Sequence, residues 1–473
     1  MPGGMSDFVL QVLSALQIVE RELLLFAAFW FVVSAVDEFA VDLGWLWLRL
    51  SGRARDVALA PGIEAEPLQG RIAVFVPAWH EAEVISHTVR HMLRAWSQDR
   101  FTVYVGCYAN DSATVAAAMA GSDTDARIRL VIHDRAGPTT KADCLNRLYA
   151  AMGADEARTG RAFTSVVLHD AEDMVHPAAL VAIDRGLADS DFVQLPVRPE
   201  PQPASPWIAG HYADEFTEAH AKSLVLRGAV GAAIPAAGVG CGFSRLALAG
   251  LAARRMGAGQ AGPFEAECLT EDYELGLTFS RGTAKGRFLR LRDSGGELVA
   301  TRSFFPATLE EAVRQKTRWI HGIALQGWDR LGWTGRAVDV WMALRDRRGP
   351  LTAIVLAAAY LLLVIEGVLL AARAAGWDGV QPLSPALEIM LVVSFSSFLW
   401  RAAWRYAFTA REYGVAEGIR SVLRIPVANV IAIMAGRRAM FSYARTLRGQ
   451  QLSWDKTAHA SHPSITARRA IAR

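Results

Sequence analysis

Leu351 to Ala372 is a run of 22 residues with a single charge, Glu366. At 1.5 Å per residue it would form a helix of about 33 Å, enough to cross a bilayer. Two other stretches repeat the pattern. Leu23 to Val36 is nearly unbroken apolar and resumes from Val41 to Leu50, and Leu387 to Trp400 carries one charge, Glu388, near its start. With 52% apolar residues overall and a positive mean hydropathy, the chain reads as an integral membrane protein with three spans.

The basic residues fix an orientation. Arg49, Arg53 and Arg55 follow the first span, Arg345, Arg347 and Arg348 precede the second, and Arg401, Arg405 and Arg411 follow the third. The positive-inside rule makes all three clusters cytoplasmic. The N-terminus is then outside and residues 51–350 are inside. No Lys or Arg precedes Arg21 and no small-residue cleavage site is evident, so the start does not read as an ordinary signal peptide. Residues 5–22 read as a separate apolar-rich helix lying on the outer surface. Asp37, Glu38 and Asp42 lie within the first span, where charge is costly, and are expected to face protein or the cytoplasmic interface in a structural role. Between Arg424 and Arg437 only 12 mostly apolar residues occur, including Pro426. That is too short to span, so an interfacial helix is expected there.

At 473 residues and a net charge of +3, the chain has room for two or three domains and no global field for nucleic acid. Its four cysteines, Cys107, Cys144, Cys241 and Cys268, show no C-x-x-C spacing and read as reduced structural thiols. Of 14 tryptophans only Trp79, Trp96 and Trp207 fall between residues 51 and 318; the rest suit an interfacial belt.

From residue 71 strand and helix signals alternate. Arg71–Pro77, Phe101–Tyr108, Ile128–Ile132 and a strand ending at Asp170 read as strands, with helices over 81–96, 114–120 and 141–152 between them. This rhythm predicts an α/β fold, a doubly wound parallel sheet. Ligands of such sheets sit beyond the carboxyl ends of the strands. Polar groups collect there: Glu81 after the first, Asp111 after the second, Lys141 after the third, and Asp170, Glu172 and Asp173 after the fourth. Lys141 opens a helix, where backbone N–H groups favour phosphate. Three clustered carboxylates repel unless a cation joins them, and hard oxygen ligands suit Mg²⁺ or Mn²⁺. The plainer alternative is an acidic loop capping the next helix.

Further on, Gly238-Val-Gly-Cys-Gly-Phe243 lacks the G-x-G-x-x-G spacing of a dinucleotide loop; its glycines suit close backbone approach to a substrate. Thr270 reads as the N-cap of a helix whose first turn holds Glu271 and Asp272. These two are either partners of the helix dipole or a general base at a pocket edge. In a helix over 309–328, Gln315, Arg318 and Trp319 share one face. Arg318 offers a fork for phosphate and Trp319 a flat surface for a sugar.

These residues resemble the membrane-embedded family 2 glycosyltransferases, the group that contains cellulose, chitin and hyaluronan synthases. The matching elements are Pro77-Ala-Trp-His-Glu81, Asn110-Asp111, Lys141-Ala-Asp-Cys-Leu-Asn146, Asp170-Ala-Glu172, Thr270-Glu-Asp272 and Gln315-Lys-Thr-Arg-Trp319, in the family's order. His169-Asp-Ala-Glu-Asp-Met-Val-His-Pro177 and Trp454-Asp-Lys-Thr-Ala-His459 further resemble the NfrB-type subgroup of bacterial inner-membrane transferases. The resemblance implies a GT-A fold and an inverting transfer from a nucleotide-sugar donor, UDP-linked, to a growing exopolysaccharide. Asp111 would hold uracil or ribose, Lys141 the pyrophosphate, and Asp170 and Glu172 the metal in the D-x-D role, with Asp173 as a possible third ligand. Asp272, beside Glu271, matches the base that deprotonates the acceptor. Gln315, Arg318 and Trp319 would line the acceptor and diphosphate side.

The implied layout is an interfacial helix and first span over 1–50, a cytoplasmic transferase domain over 51–308, and interfacial helices with the Q-x-x-R-W motif over 309–350. Two spans over 351–410 and an interfacial helix with a cytoplasmic tail over 411–473 complete it. Expected partners are the donor, a saccharide or lipid-linked acceptor, membrane lipid, and a second copy or an export partner. The expected site is the bacterial inner membrane. Two rivals stand beside this reading: a non-processive transferase acting on a membrane lipid, and an inactive membrane scaffold or phage-receptor component.

Overall fold

The computed structural model describes residues 6–266, 268–280, 284–333, 335–379, 382–449 and 461–465. Its centre is a seven-stranded sheet: β1 Ile72–Pro77, β2 Phe101–Tyr108, β3 Ile128–His133, β4 Ser165–Leu168, β5 Phe192–Gln194, β6 Cys241–Ser244 and β7 Gly286–Phe288. The strands lie in the order β3-β2-β1-β4-β6-β5-β7. Strands β3, β2, β1 and β4 are parallel neighbours. On β1, Val74 and Val76 face helices Ile85–Ala95 and Ala179–Leu187, while Ala73 and Phe75 face helices Lys141–Thr159 and Arg245–Gly257. Burial on both faces is why these strands read as continuous apolar runs. This is the doubly wound α/β sheet expected, with helices on both faces.

One feature departs from the all-parallel expectation. β6 runs antiparallel to both β4 and β5, in a glycine-rich stretch for which no strand was expected. It is four residues long, and Gly242 weakens any strand signal. The glycine has a packing reason: a Cβ there would lie 2.3 Å from Ile183 Cγ2.

Among the described residues, three helices are long and apolar enough to cross a membrane: Asp7–Leu50, Gly349–Ala374 and Pro385–Tyr413. The separate surface helix expected over 5–22 is instead the first half of the 44-residue helix Asp7–Leu50. No Gly or Pro lies between Asp7 and Leu43, and Glu20, Arg21 and Glu22 are good helix formers, so nothing breaks it. At about 66 Å it is twice as long as a bilayer core is thick.

The short interfacial helix expected between Arg424 and Arg437 is also longer. Pro426 lies in the first turn of the 22-residue helix Ile425–Thr446, where its missing N–H costs nothing. Helix Val415–Leu423 precedes it at a 50° bend, and together the pair is apolar enough for a broken span or a re-entrant loop. The Trp454–His459 motif lies outside the described residues.

Where these helices meet the sheet domain, charges pair. Asp37 accepts from Trp341 Nε1 at 2.7 Å and pairs with Arg345 and Arg348. Glu38 meets Arg345 at 3.1 Å and Arg401 at 3.4 Å. Asp42 takes Lys222 Nζ at 2.6 Å and Trp400 Nε1 at 2.7 Å. The structural role expected of these acids is what the geometry shows.

Candidate active site

The ends of β1, β2 and β4 and the start of helix Lys141–Thr159 face one region. Asn110 ties two of these loops together, exchanging hydrogen bonds of 2.8 Å with both the N–H and the carbonyl of Gly137. Gly137 is a glycine because Trp79 packs on it: a Cβ would lie 2.4 Å from that ring. Asp111 caps helix Ser112–Ser122, accepting from Thr114 N at 3.3 Å and from His80 N at 2.7 Å. Burial opposes its charge, but Thr114 and these N–H groups hold its carboxyl below the usual range. Asp111 therefore stays ionised and pinned. Glu81 is buried at the start of the next turn, its N–H donating to Thr114 Oγ1 at 2.9 Å.

Lys141 is the centre of the cluster. Its ammonium lies 2.6 Å from Asp170 Oδ1. Burial works against the charge, yet Asp170, Glu271 and Asp272 together hold the lysine well above its ordinary range. Two segments far apart in sequence therefore bring acids to one cation.

Helix Glu271–Ser280 delivers its two acids by close packing. Gly276 lets it lie on the backbone of Pro235 and Ala236, where a Cβ would come within 2.0 Å of Ala236 N. Thr270 occupies the N-cap position, but its buried hydroxyl makes no hydrogen bond, because Gly322 presses against it. The capping bond expected of Thr270 is absent.

Burial and then the charge of Asp272 push the Glu271 carboxyl up to about 8, with Lys141 working the other way. Burial likewise raises Asp272, again opposed by Lys141. Two adjacent acids raised first by burial, and Glu271 also by its neighbour, mark a candidate functional site.

Gly238 keeps this space open. It sits at φ +75°, and a Cβ would lie 2.5 Å from Asp272 Oδ2 and 3.2 Å from Lys141 Nζ. A side chain at 238 would fill the gap between Asp272 and Lys141. Close backbone approach was the general reason expected for glycines here, and the structure makes one of them a wall of the site.

Asp173 departs from its expected role as a third metal ligand. It is 1% exposed, and its Oδ2 meets His169 Nδ1 at 2.9 Å and accepts from Asp170 N at 3.0 Å. Burial raises its pKa, countered first by His169. Its carboxylate closes the Asp170–Asp173 turn from behind, and Asp170 carries the contact to Lys141.

Hard carboxylate oxygens and surplus negative charge fit Mg²⁺ or Mn²⁺, and the gap at Gly238 shows that room is kept beside them. A second group, His176, Asp293 and Glu297, has ligand atoms within 4.8 Å of one another. Arg302 already pairs with Glu297 there.

The Gln315–Trp319 shelf lies on the same side as Thr270. Gly322, one turn past Trp319, is the residue that meets Thr270. Trp319 packs edge-on to Tyr212 at 6.0 Å and beside Phe216 at 6.1 Å between centroids. Lys316 Nζ sits 5.4 Å from its ring. Gln315 Oε1 is buried without a hydrogen-bond partner. The helix then loosens into a π turn over Ile320–Gln326, a distortion common near functional sites.

Residues 69–322 match the family described as glycosyltransferase like family 2. Bacteriophage adsorption protein B of Escherichia coli K12 is 31% identical over 461 residues, covering 92% of this chain and 61% of that protein. The chain therefore spans about three fifths of the length of the curated relatives it matches. Among solved structures, a mannosyltransferase from Pyrobaculum calidifontis, in complex with GDP-Man and Mn²⁺, is similar at TM-score 0.49 and 16% identity. The likeness covers 89% of this chain and 99% of that one. Glucosyl-3-phosphoglycerate synthase of M. tuberculosis is similar at TM-score 0.35 and 17% identity, over 59% of this chain and 89% of that one.

Proposed function

Because the chain belongs to glycosyltransferase family 2, we propose that it transfers a sugar, with inversion, from a UDP-linked donor to a growing exopolysaccharide. The transfer takes place at the cytoplasmic face of a bacterial inner membrane. The observation that carries this reading is the convergence of Asp170, Glu271 and Asp272 on Lys141 around the gap kept by Gly238.

The residues divide the work by charge. Asp111 stays ionised where a ribose or base would be held. Lys141 offers its ammonium to the diphosphate. Asp170 and Glu172 would hold Mg²⁺ or Mn²⁺, which when bound stabilises charge on the departing nucleoside diphosphate. Asp272 accepts the proton of the acceptor hydroxyl, and its raised pKa makes it a stronger base than an exposed carboxylate. Glu271, protonated through much of the neutral range, spares Asp272 a second adjacent charge. Gln315, Arg318 and Trp319 border the acceptor side.

Purified protein in detergent, given UDP-sugars and Mn²⁺, is expected to release UDP. Asp272→Asn is expected to stop that release, and mass analysis to show a ladder of added sugars. Release that is unchanged in the Asn variant would overturn the assignment. A product of one sugar on a lipid would instead favour the non-processive reading, which gains support from having only three clear spans among the described residues.

A further inference from the structure

The segment that carries the donor-site acids, Asp170 to His176, is gripped by side chains at four of its carbonyls. Thr88 Oγ1 donates to Ala171 O, His91 Nε2 bonds Val175 O at 2.8 Å, and Trp96 Nε1 donates to His176 O at 3.2 Å. All three come from helix Ile85–Ala95 and its C-cap. The carbonyl between them, Asp173 O, is taken by a residue from much later in the chain. His462 Nε2 lies 3.1 Å from it.

We propose that His462 is a positioning residue of the donor site, its imidazole completing the grip that aims Asp170 and Glu172. The imidazole is 0% exposed, stacked at 20° on His87 with centroids 6.2 Å apart, and 6.3 Å from His91. Its tautomer follows from its neighbours. Ser464 N donates to Nδ1 at 3.1 Å, so Nδ1 is the acceptor and the Nε2 proton points at the Asp173 carbonyl.

The connection onward is short. The residue whose carbonyl His462 holds is the one whose carboxylate holds the backbone of Asp170. Loss of the donor at His462 frees Asp173, and with it the turn that presents the two acids. Groups one step behind a metal ligand commonly change metal affinity by about 10- to 100-fold when removed. This inference rests on the reading above that Asp170 and Glu172 hold the divalent ion.

The test compares full-length wild type with His462→Phe, which keeps a ring against His87 but cannot donate, and His462→Gln, which donates without the ring. Hydrogen exchange of the 165–176 backbone is followed without metal or donor, and Mn²⁺ affinity is titrated separately. In the Phe variant exchange is expected to quicken about 10-fold, the scale of one net hydrogen bond, and Mn²⁺ affinity to fall about 10-fold or more. The Gln variant should return both toward wild type. Phe exchange equal to wild type overturns the proposal, as does a Gln variant as defective as Phe. His462→Ala replaces the Phe variant if that fails to fold. Wild type that binds no Mn²⁺ overturns the metal reading alone, because the exchange data still decide whether His462 holds the turn.

Discussion

Two regions of this molecule bury acids, and they do opposite things with them. At the junction with the membrane helices each acid meets cations. Asp214 is fully buried, with Arg424 at 2.7 and 2.9 Å and Arg405 at 3.0 Å, and Asp37, Glu38 and Asp42 are bridged in the same way. At the strand ends, Asp170, Glu271 and Asp272 crowd around Lys141, and two of them are driven toward protonation. The first arrangement is complete and serves to join domains. The second is short of positive charge, and a protein keeps such a debt only where something else arrives to settle it. Burial raises the Asp214 carboxyl as it does Glu271 and Asp272, so the direct arginine hydrogen bonds to Asp214, rather than the direction of its shift, separate the structural acid from the others.

The sharpest break of that comparison removes one acid from each region. Asp272→Asn should lower transfer by about 10²–10⁴, the range for a lost general base. It should leave the melting temperature unchanged or higher, since it takes away a repelling charge. Asp214→Ala should act the other way. It leaves the fully buried Arg424 without its main counter-charge, a loss of about 3–5 kcal/mol, seen as a lower melting temperature in detergent with activity falling only as folded protein is lost. An Asp272→Asn protein that unfolds, or an Asp214→Ala protein that melts like wild type, would erase the distinction.

A smaller effect separates the regions by pH. Glu271 titrates at about 8 in the folded state against an ordinary 4.5, so the folded protein holds that proton longer than the unfolded chain does. Stability from this group is therefore greatest below about pH 4.5 and declines as pH rises toward 8. Melting temperatures measured with a chelator from pH 5 to 8.5 should fall along that window. Glu271→Gln should flatten the slope, and Mn²⁺ should flatten it too by supplying the missing positive charge. A slope that survives Glu271→Gln would place the titrating group elsewhere.

How much of this was legible in advance depends on how local the signal is. β1 to β4 and the acids at their ends lie in short contiguous runs, so periodicity and position located them. The three apolar helices were legible for the same reason. β6 was not, because four residues containing Gly242 carry no alternation to read, and its strand exists through pairing with β4 and β5. The roles of Asp173 and Gly238 depend on atoms brought from other segments. Asp173 looks like a ligand in the sequence, yet it is turned inward by His169. His462 lies 289 positions from the carbonyl it holds, a separation no local pattern reports. Residues 5–22 show the opposite error: polar residues suggested a break where the backbone had no reason to stop.

The smallest expected effect tests whether distance alone could have drawn the comparison. Glu310 and Arg314 pair at 2.9 Å on the first turns of helix Leu309–Trp319, as short as the Asp214 contacts, but the Glu310 side chain is 77% exposed. Water already solvates the Glu310 carboxylate, so this i, i+4 pair contributes about 0.3–0.5 kcal/mol and is screened by salt. Glu310→Ala should therefore shift the melting temperature by a degree or two at most, less in high salt, with UDP release unchanged. A loss near that of Asp214→Ala would mean that ion pairs in this fold rank by geometry and not by the desolvation they relieve. The contrast between the junction and the site would then have to be argued on other ground, since both regions contain equally short contacts.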